Sequence, residues 1–321
     1  MTSQTISVVV PVYRGETTLP ALLAEIAPYA AGFETAGGAQ ARITEVVLVN
    51  DCGPDNSAQV IRELARQYDF VQPVWLSRNF GQHQATMAGM AASSGEWIAT
   101  IDEDGQYDPG QIRALLDVAL ATKRPLVYAA PVNAAPHGPF RNLASKASKR
   151  VIDLMTGSKS ARNYHSFRLV LGSVGREVAS IAGATTFLDV ALGWIAGDAA
   201  TAPVRLRDEG RESGYSLPRL LSHFWSMVLT SGTRGLRAAS ITGFLLALAG
   251  LLGAVAVVVQ RFRIGVWPAG WASLMVVTLT LGGIMLLFLG VVAEYVGVAV
   301  NSALGKPAYF TIEDPSNGPL A

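Results

Sequence analysis

Two stretches near the C-terminus carry no charged side chain, and nothing else in the 321-residue chain restricts its folding as strongly. The first is residues 238–260 (AASITGFLLALAGLLGAVAVVVQ), and the second runs from Ile264 through Ala293. Each exceeds the roughly 20 residues that a helix needs to cross a hydrocarbon core. The rest of the chain could not wrap two such runs in a soluble core, so both are expected to be membrane spans. The connector from Arg261 to Pro268 is too short to hold a domain, so the spans form a hairpin that returns the chain to the side it left. Met1–Thr5 lack the basic start of a signal peptide, and the first apolar run, Ile6–Val12, has only the length of a strand. The N-terminal part is therefore expected in the cytoplasm, in a protein integral to the cytoplasmic membrane. Arg234 and Arg237 before the first span agree with a positive inner side, while Arg261 and Arg263 in the connector oppose it.

The remainder reads as alternating strands and helices. Ile6–Val12 is a β-branched strand, and a helix from Thr17 places Leu19, Leu22, Leu23 and Ile26 on one face. Glu45–Val49, Val71–Leu76, Trp97–Ile101, Leu126–Ala130 and Phe167–Val170 read as further strands. Helices are expected over Ser57–Tyr68, Gly110–Thr122, Pro139–Met155 and Gly172–Ala182. This alternation predicts an α/β domain with a mainly parallel sheet covered on both faces. Leu217–Leu229 carries a nearly complete apolar stripe just before the first span, as an interfacial amphipathic helix would, with Trp225 at headgroup level. The formal net charge of +1 invites no nucleic-acid partner, and the single cysteine, Cys52, excludes an internal disulfide.

Chemistry concentrates between residues 77 and 109. A polar turn, Ser77-Arg78-Asn79-Phe80-Gly81, leads into a helix of small residues. The strand from Trp97 then ends in Asp102-Glu103-Asp104, with Gln106 close behind. Carboxylates at the C-terminal end of a buried parallel strand lie where open α/β sheets bind ligands. Two of them, one residue apart, can share a hard divalent cation with a diphosphate. A bare acidic pair of this kind is more often a solvated turn, so the surrounding residues decide the reading.

Arg78 to Gly81, Ala85 to Gly89, Gly95-Glu96 and Asp102 to Pro109 together resemble the nucleotide-sugar core of family-2 glycosyltransferases. The pattern is most similar to the branch that acts on polyprenyl phosphates, which includes dolichol-phosphate mannose synthase and undecaprenyl-phosphate aminoarabinose transferase. Gln82-His83 and the stretch from Gly290 to Phe310 look most like the aminoarabinose-transferase type. The resemblance implies a Rossmann-like GT-A domain and an inverting, Mg²⁺- or Mn²⁺-dependent transfer from a nucleotide-diphosphate sugar to a polyprenyl phosphate. It implies Asp104 and Gln106 as metal ligands, with Asp102 on the ribose or on metal-bound water. It also implies nucleotide-sugar contacts from Pro11, Tyr13, Glu16, Asp51, Arg78, Asp102 and Glu103.

The motifs depart from the family in several places. The acid usual two residues after the tyrosine is Gly15 here, with Glu16 one step later. Asp51 is either a reader of the base or a turn residue ahead of the helix at Ser57. Ser166 replaces an aspartate, and Gly214 replaces a lysine that helps to hold the diphosphate. No arginine follows the strand at Val132-Asn133. Arg207 or Arg211 could substitute at the phosphates, as could Lys159 or Arg162. Arg168 is the expected catalytic clamp on the acceptor phosphate, because an ionised phosphate needs a cation more than a base. The face of Lys146, Lys149 and Arg150, with Arg141, is either solvated or turned to anionic lipid.

The resulting layout is a catalytic domain over 1–216, an interfacial helix and linker over 217–237, a transmembrane hairpin over 238–293 and a cytoplasmic tail over 294–321. Spans rich in Gly and Ala leave a homo-oligomer open. Two rival readings stand: a family-2 enzyme with another acceptor, and a catalytically silent membrane scaffold.

Overall fold

The structure, a computed structural model, describes residues 3–133, 165–183, 186–207 and 270–318, with scattered positions in 236–259. Its centre is a nine-stranded mixed sheet in the order β8-β6-β7-β5-β1-β3-β4-β9, with β2 added against β3. The strands are β1 (Gln4–Val12), β2 (Phe33–Glu34), β3 (Gln40–Asn50), β4 (Val71–Leu76), β5 (Trp97–Thr100), β6 (Leu126–Pro131), β7 (Arg168–Leu171), β8 (Ala200–Val204) and β9 (Thr311–Ile312). The middle of the sheet, β5-β1-β3-β4, is parallel as the alternation predicts. On the flanks β7 runs antiparallel to both β5 and β6, and β9 antiparallel to β4, while β8 pairs parallel with β6.

Strand β1 shows why the sheet is covered twice. Ile6, Val8, Val10 and Val12 point into one core with α1 (Leu19–Ile26), α2 (Ser57–Gln67) and α4 (Ile112–Thr122). Val9 points the other way, toward α3 (Gln82–Ala92), α5 (Gly172–Ile181) and α6 (Leu188–Ala196). Side chains alternate faces along a strand, so a run of β-branched residues suits a strand buried on both. Helix α3 sits directly on the sheet because its residues are small. A Cβ on Gly89 would lie 2.3 Å from Val9 Cγ1 and 2.9 Å from Val49 Cγ2.

Two expectations change at the C-terminus. Helix α7 (Trp271–Ala303) has 33 residues, so it continues past Glu294 rather than stopping at Ala293. The segment after it rejoins the sheet as β9 instead of trailing as a tail. Within α7, Thr280–Asn301 is the one helix among the described residues long and apolar enough to cross a membrane, and none of it is buried. The first expected span falls largely outside the described residues. Leu236, just before it, and Gly243 within it lie alongside α7: Tyr295 bonds the backbone of Leu236, and Gly243 faces the Phe288 ring. Seven residues forward, from 236 to 243, the partner on α7 lies seven residues back, from 295 to 288, an antiparallel arrangement.

The interfacial helix at 217–229, the helix at 139–155 with Lys146, Lys149 and Arg150, and Arg141, Lys159, Arg162, Arg211 and Gly214 all lie outside the described residues.

Candidate active site

The carboxyl ends of β1, β3 and β5 come together at the middle of the sheet, and the loops leaving them build the site. At the first, the Pro11–Gly15 turn leaves Tyr13 exposed. Glu103 lies behind it, accepting the Tyr13 N–H at 3.0 and 3.2 Å and the Arg14 N–H at 2.8 Å. Burial pushes the Glu103 carboxyl up to about 7, against the lowering effect of those amides. Glu103 was expected at the nucleotide; its carboxylate is instead the internal support of the turn. A Cβ on Gly15 would lie 2.7 Å from both Glu103 Oε2 and Leu19 Cγ, so a side chain at 15 would displace the Glu103 carboxylate or the buried Leu19. That accounts physically for glycine where the family's acid is usual. Glu16, one step later, accepts from the backbone and side-chain amides of Asn56, each at 3.1 Å.

At the second end, the turn after β3 presses against the first. A Cβ on Gly53 would fall 1.6 Å from the Tyr13 carbonyl oxygen, so only glycine permits this backbone approach. Asp51 is buried, and its carboxylate accepts the amides of Phe80 at 2.7 Å and Gly81 at 2.9 Å. Burial raises its pKa, and the same two amides oppose the rise. Asp51 therefore fixes the Ser77–Gly81 turn rather than capping α2. The N-cap residue of α2 is Asn56, and just ahead of it the Asp55 carboxylate accepts from the Ser57 N–H and hydroxyl and from the Glu16 N–H. Arg78 projects from the fixed turn, exposed, with its guanidinium 4.1 Å from the centre of the Phe80 ring.

At the third end, Asp102 is clasped from two sides. Gln82 Nε2 donates to Oδ1 at 2.6 Å and the Ser166 hydroxyl to Oδ2 at 2.5 Å. Thr100 fixes Ser166 in turn through its carbonyl. Burial raises the Asp102 pKa, while the Ser166 hydrogen bond and the nearby Arg168 charge lower it. Asp104 is freer. Its Oδ1 accepts the Gln106 N–H at 3.1 Å, and among the described residues neither Oδ2 nor the Gln106 side-chain amide makes a hydrogen bond. Tyr107 anchors the loop by stacking on Phe167 at 4.9 Å and by bridging to Leu206.

Comparison with known proteins places this arrangement. Residues 7–175 match the model for glycosyl transferase family 2. The undecaprenyl-phosphate 4-deoxy-4-formamido-L-arabinose transferase of Edwardsiella ictaluri (strain 93-146) is 31% identical over 313 residues, covering 96% of this chain and 94% of that one. The protein of the same name from Klebsiella pneumoniae subsp. pneumoniae is 31% identical over 309 residues, covering 95% and 92%. The chain belongs to glycosyl transferase family 2. In fold, the family-2 chain is similar to glucosyl-3-phosphoglycerate synthase from Mycobacterium tuberculosis, solved with Mn²⁺, UDP and phosphoglyceric acid. The TM-score is 0.52 at 17% identity, over 72% of this chain and 78% of that one.

Two expected roles are corrected. Arg168, the expected phosphate clamp, is 3% exposed and paired with Asp189, which also accepts the Tyr128 hydroxyl at 2.8 Å. A guanidinium sealed in that pair presents nothing to an acceptor. Arg207 holds Glu25 in a two-pronged pair at 2.6 and 3.0 Å, so its fork faces a carboxylate of the chain's own rather than a diphosphate. The sequence reading also missed several partners: Gln82, Asp55, Glu25 and Asp189. Gln82 lies directly after the recognised Arg78–Gly81 motif, and Asp55 just before the predicted helix at Ser57, so both positions carried a local signal. Asp189 sits in an apolar stretch far from Arg168 in sequence and carries no local signal.

The residues present fit a divalent cation. Asp104 Oδ2 and the Gln106 side-chain oxygen are hard donors without a hydrogen bond among the described residues, next to the clasped Asp102. Among the described residues no group of three His, Cys, Asp or Glu could hold an ion by itself. Remaining ligands would come from diphosphate and water, which suits Mg²⁺ or Mn²⁺ better than a metal needing a closed protein cage.

Proposed function

We propose that the chain is a membrane-anchored, inverting transferase that moves a sugar from a nucleotide-diphosphate donor, with uridine the first to test, onto a polyprenyl phosphate. The observation that carries this reading is the reach of the similarity: 96% of the chain aligns with an undecaprenyl-phosphate sugar transferase, through the apolar C-terminal helix as well as the sheet domain. A transferase with a water-soluble acceptor would have no use for the apolar part. The UDP-bound M. tuberculosis neighbour supports the choice of uridine.

In this reading Pro11 and Tyr13 face the base, on a turn supported by Glu103 and Gly53. Arg78 reaches the donor from the turn that Asp51 fixes. A bound Mg²⁺ or Mn²⁺, held by Asp104 and Gln106 with Asp102 at its water, would neutralise charge on the departing diphosphate. The acceptor phosphate arrives ionised, so no carboxylate base is needed at position 166. Ser166 is left free to orient Asp102, as its hydrogen bond does.

The path of the chain supports two spans. The sheet domain includes both residues before 207 and residues after 307. A chain that leaves and rejoins one domain crosses a bilayer an even number of times. If α7 crosses once, the charge-free run at 238–260 supplies the return.

The test is transfer itself. Membranes containing the chain are supplied with radiolabelled UDP-sugars and polyprenyl phosphate, then extracted with organic solvent. Label in the lipid fraction that depends on added polyprenyl phosphate is expected. Label only in water-soluble products would sink the reading.

A further inference from the structure

The segment that follows α7 is fastened to the sheet domain at every step. Gly305 turns the chain with φ at 62°, and Pro307 bridges to Gly183. Ala308 is 6% exposed, packed into the core on the α3 side. The Phe310 carbonyl accepts the Ser77 N–H at 2.9 Å, and β9 then pairs with Leu76 and Trp75. Asp314 receives Arg62 as a fork, Nε at 2.9 and 3.0 Å and Nη2 at 2.7 Å. The same guanidinium lies 4.8 Å from the centre of the Trp75 ring. The N–H and hydroxyl of Ser316 both donate to Asp314 at 2.9 Å.

The placement of these contacts matters more than their number. Without β9, β4 would be the open edge of the sheet, and covering an edge is reason enough for a strand. A cover alone, however, could end anywhere along β4. This one ends on Ser77, the first residue of the turn that carries Arg78 and offers the Phe80 and Gly81 amides to Asp51. Its other end is the helix expected in the bilayer.

We propose that residues 306–316 are a positioning strap for the donor site, tying the end of α7 through β4 to the Ser77–Gly81 turn. The proposal rests on the donor site read above. Neither Arg62 nor Asp314 reaches the donor; both act through the strand and the turn.

The test uses the full chain in lipid nanodiscs, with hydrogen exchange read at single amides. Asp314→Ala is expected to speed exchange at Ser77, Phe80 and Gly81 by about fivefold to tenfold, the scale of a partly exposed charged fork. Asp314→Glu keeps a carboxylate for Arg62 and stays within about twofold of wild type on the same reasoning. In transfer assays the Asp314→Ala loss falls on the KM for the nucleotide sugar rather than on kcat. Faster exchange at Ser77 with unchanged protection at Phe80 and Gly81 would overturn the proposal and reduce the segment to an edge cover. Exchange needs no substrate, so a wild-type chain that transferred no sugar would count against the functional reading alone.

Discussion

At the scale of single residues, what separates the acids of this site is how fully each is already engaged. Asp51, Glu103 and Asp102 each accept two or more hydrogen bonds from the chain, whereas among the described residues Asp104 keeps an oxygen free. Asp104→Asn should therefore remove transfer by more than about a hundredfold while leaving the melting temperature near wild type, because the lost charge acts on the leaving diphosphate. A transfer assay and a thermal melt on the same preparation check this. Arg168 behaves in the opposite way. Its side chain and that of Asp189 are both 4% exposed, so removing one leaves the other charged, buried and alone. Arg168→Ala is expected to cost about 3–5 kcal/mol of stability, whereas replacing both partners with apolar residues of similar volume recovers most of it. Thermal unfolding of the single and double variants distinguishes these. Kinetically, Arg168→Ala should harm both substrates alike rather than the lipid alone.

At the scale of elements, periodicity was a sound guide wherever an element buries a repeating face. The faces of α1 and α2, the extent of β4 and the run of β1 follow from the placing of Leu19, Leu22, Leu23, Ile26, Ile61, Leu64 and the valines. The motif residues at the ends of β1, β3 and β5 were legible for the same reason, since each closes a recognisable strand. Elements held by distant partners were not legible. Thr311 and Ile312 are exposed and alternate with nothing, and β9 exists because the edge of β4 accepts it. The antiparallel course of β7 is likewise invisible in Arg168–Leu171, because strand direction is decided by the connection, not by composition. The Asp314 fork gives this element a pH signature. Arg62 holds the Asp314 carboxyl below its ordinary 3.8, so its contribution is complete above that value and is lost as pH falls through the lowered folded one. Protection at Ser77 should stay flat above about pH 5 and fall below pH 4 in wild type. In Asp314→Asn it should be lower throughout and show no step there. Hydrogen exchange across that window is the measurement.

At the scale of the whole molecule, the sheet domain is assembled from two parts of the chain with the apolar helix between them. The even-crossing argument makes a prediction about sides. In sealed vesicles, cysteines placed singly at Ser316 and at Arg263, in a chain whose Cys52 is replaced by serine, should react with membrane-impermeant reagents from opposite faces. Labelling of both from one face would remove the hairpin. A consequence in time follows from β9. Chains emerge from the ribosome N-terminus first, and domains generally fold in that order. Here the strand that covers the β4 edge is made after every apolar residue of α7 has been synthesised. Until then the edge stands open and the Ser77 amide has no partner. The edge of the nascent sheet is covered only in chains whose apolar helix has already been made; on the function proposed above, the donor site would mature only then, and a chain stalled before residue 311 carries its motifs without its finished fold.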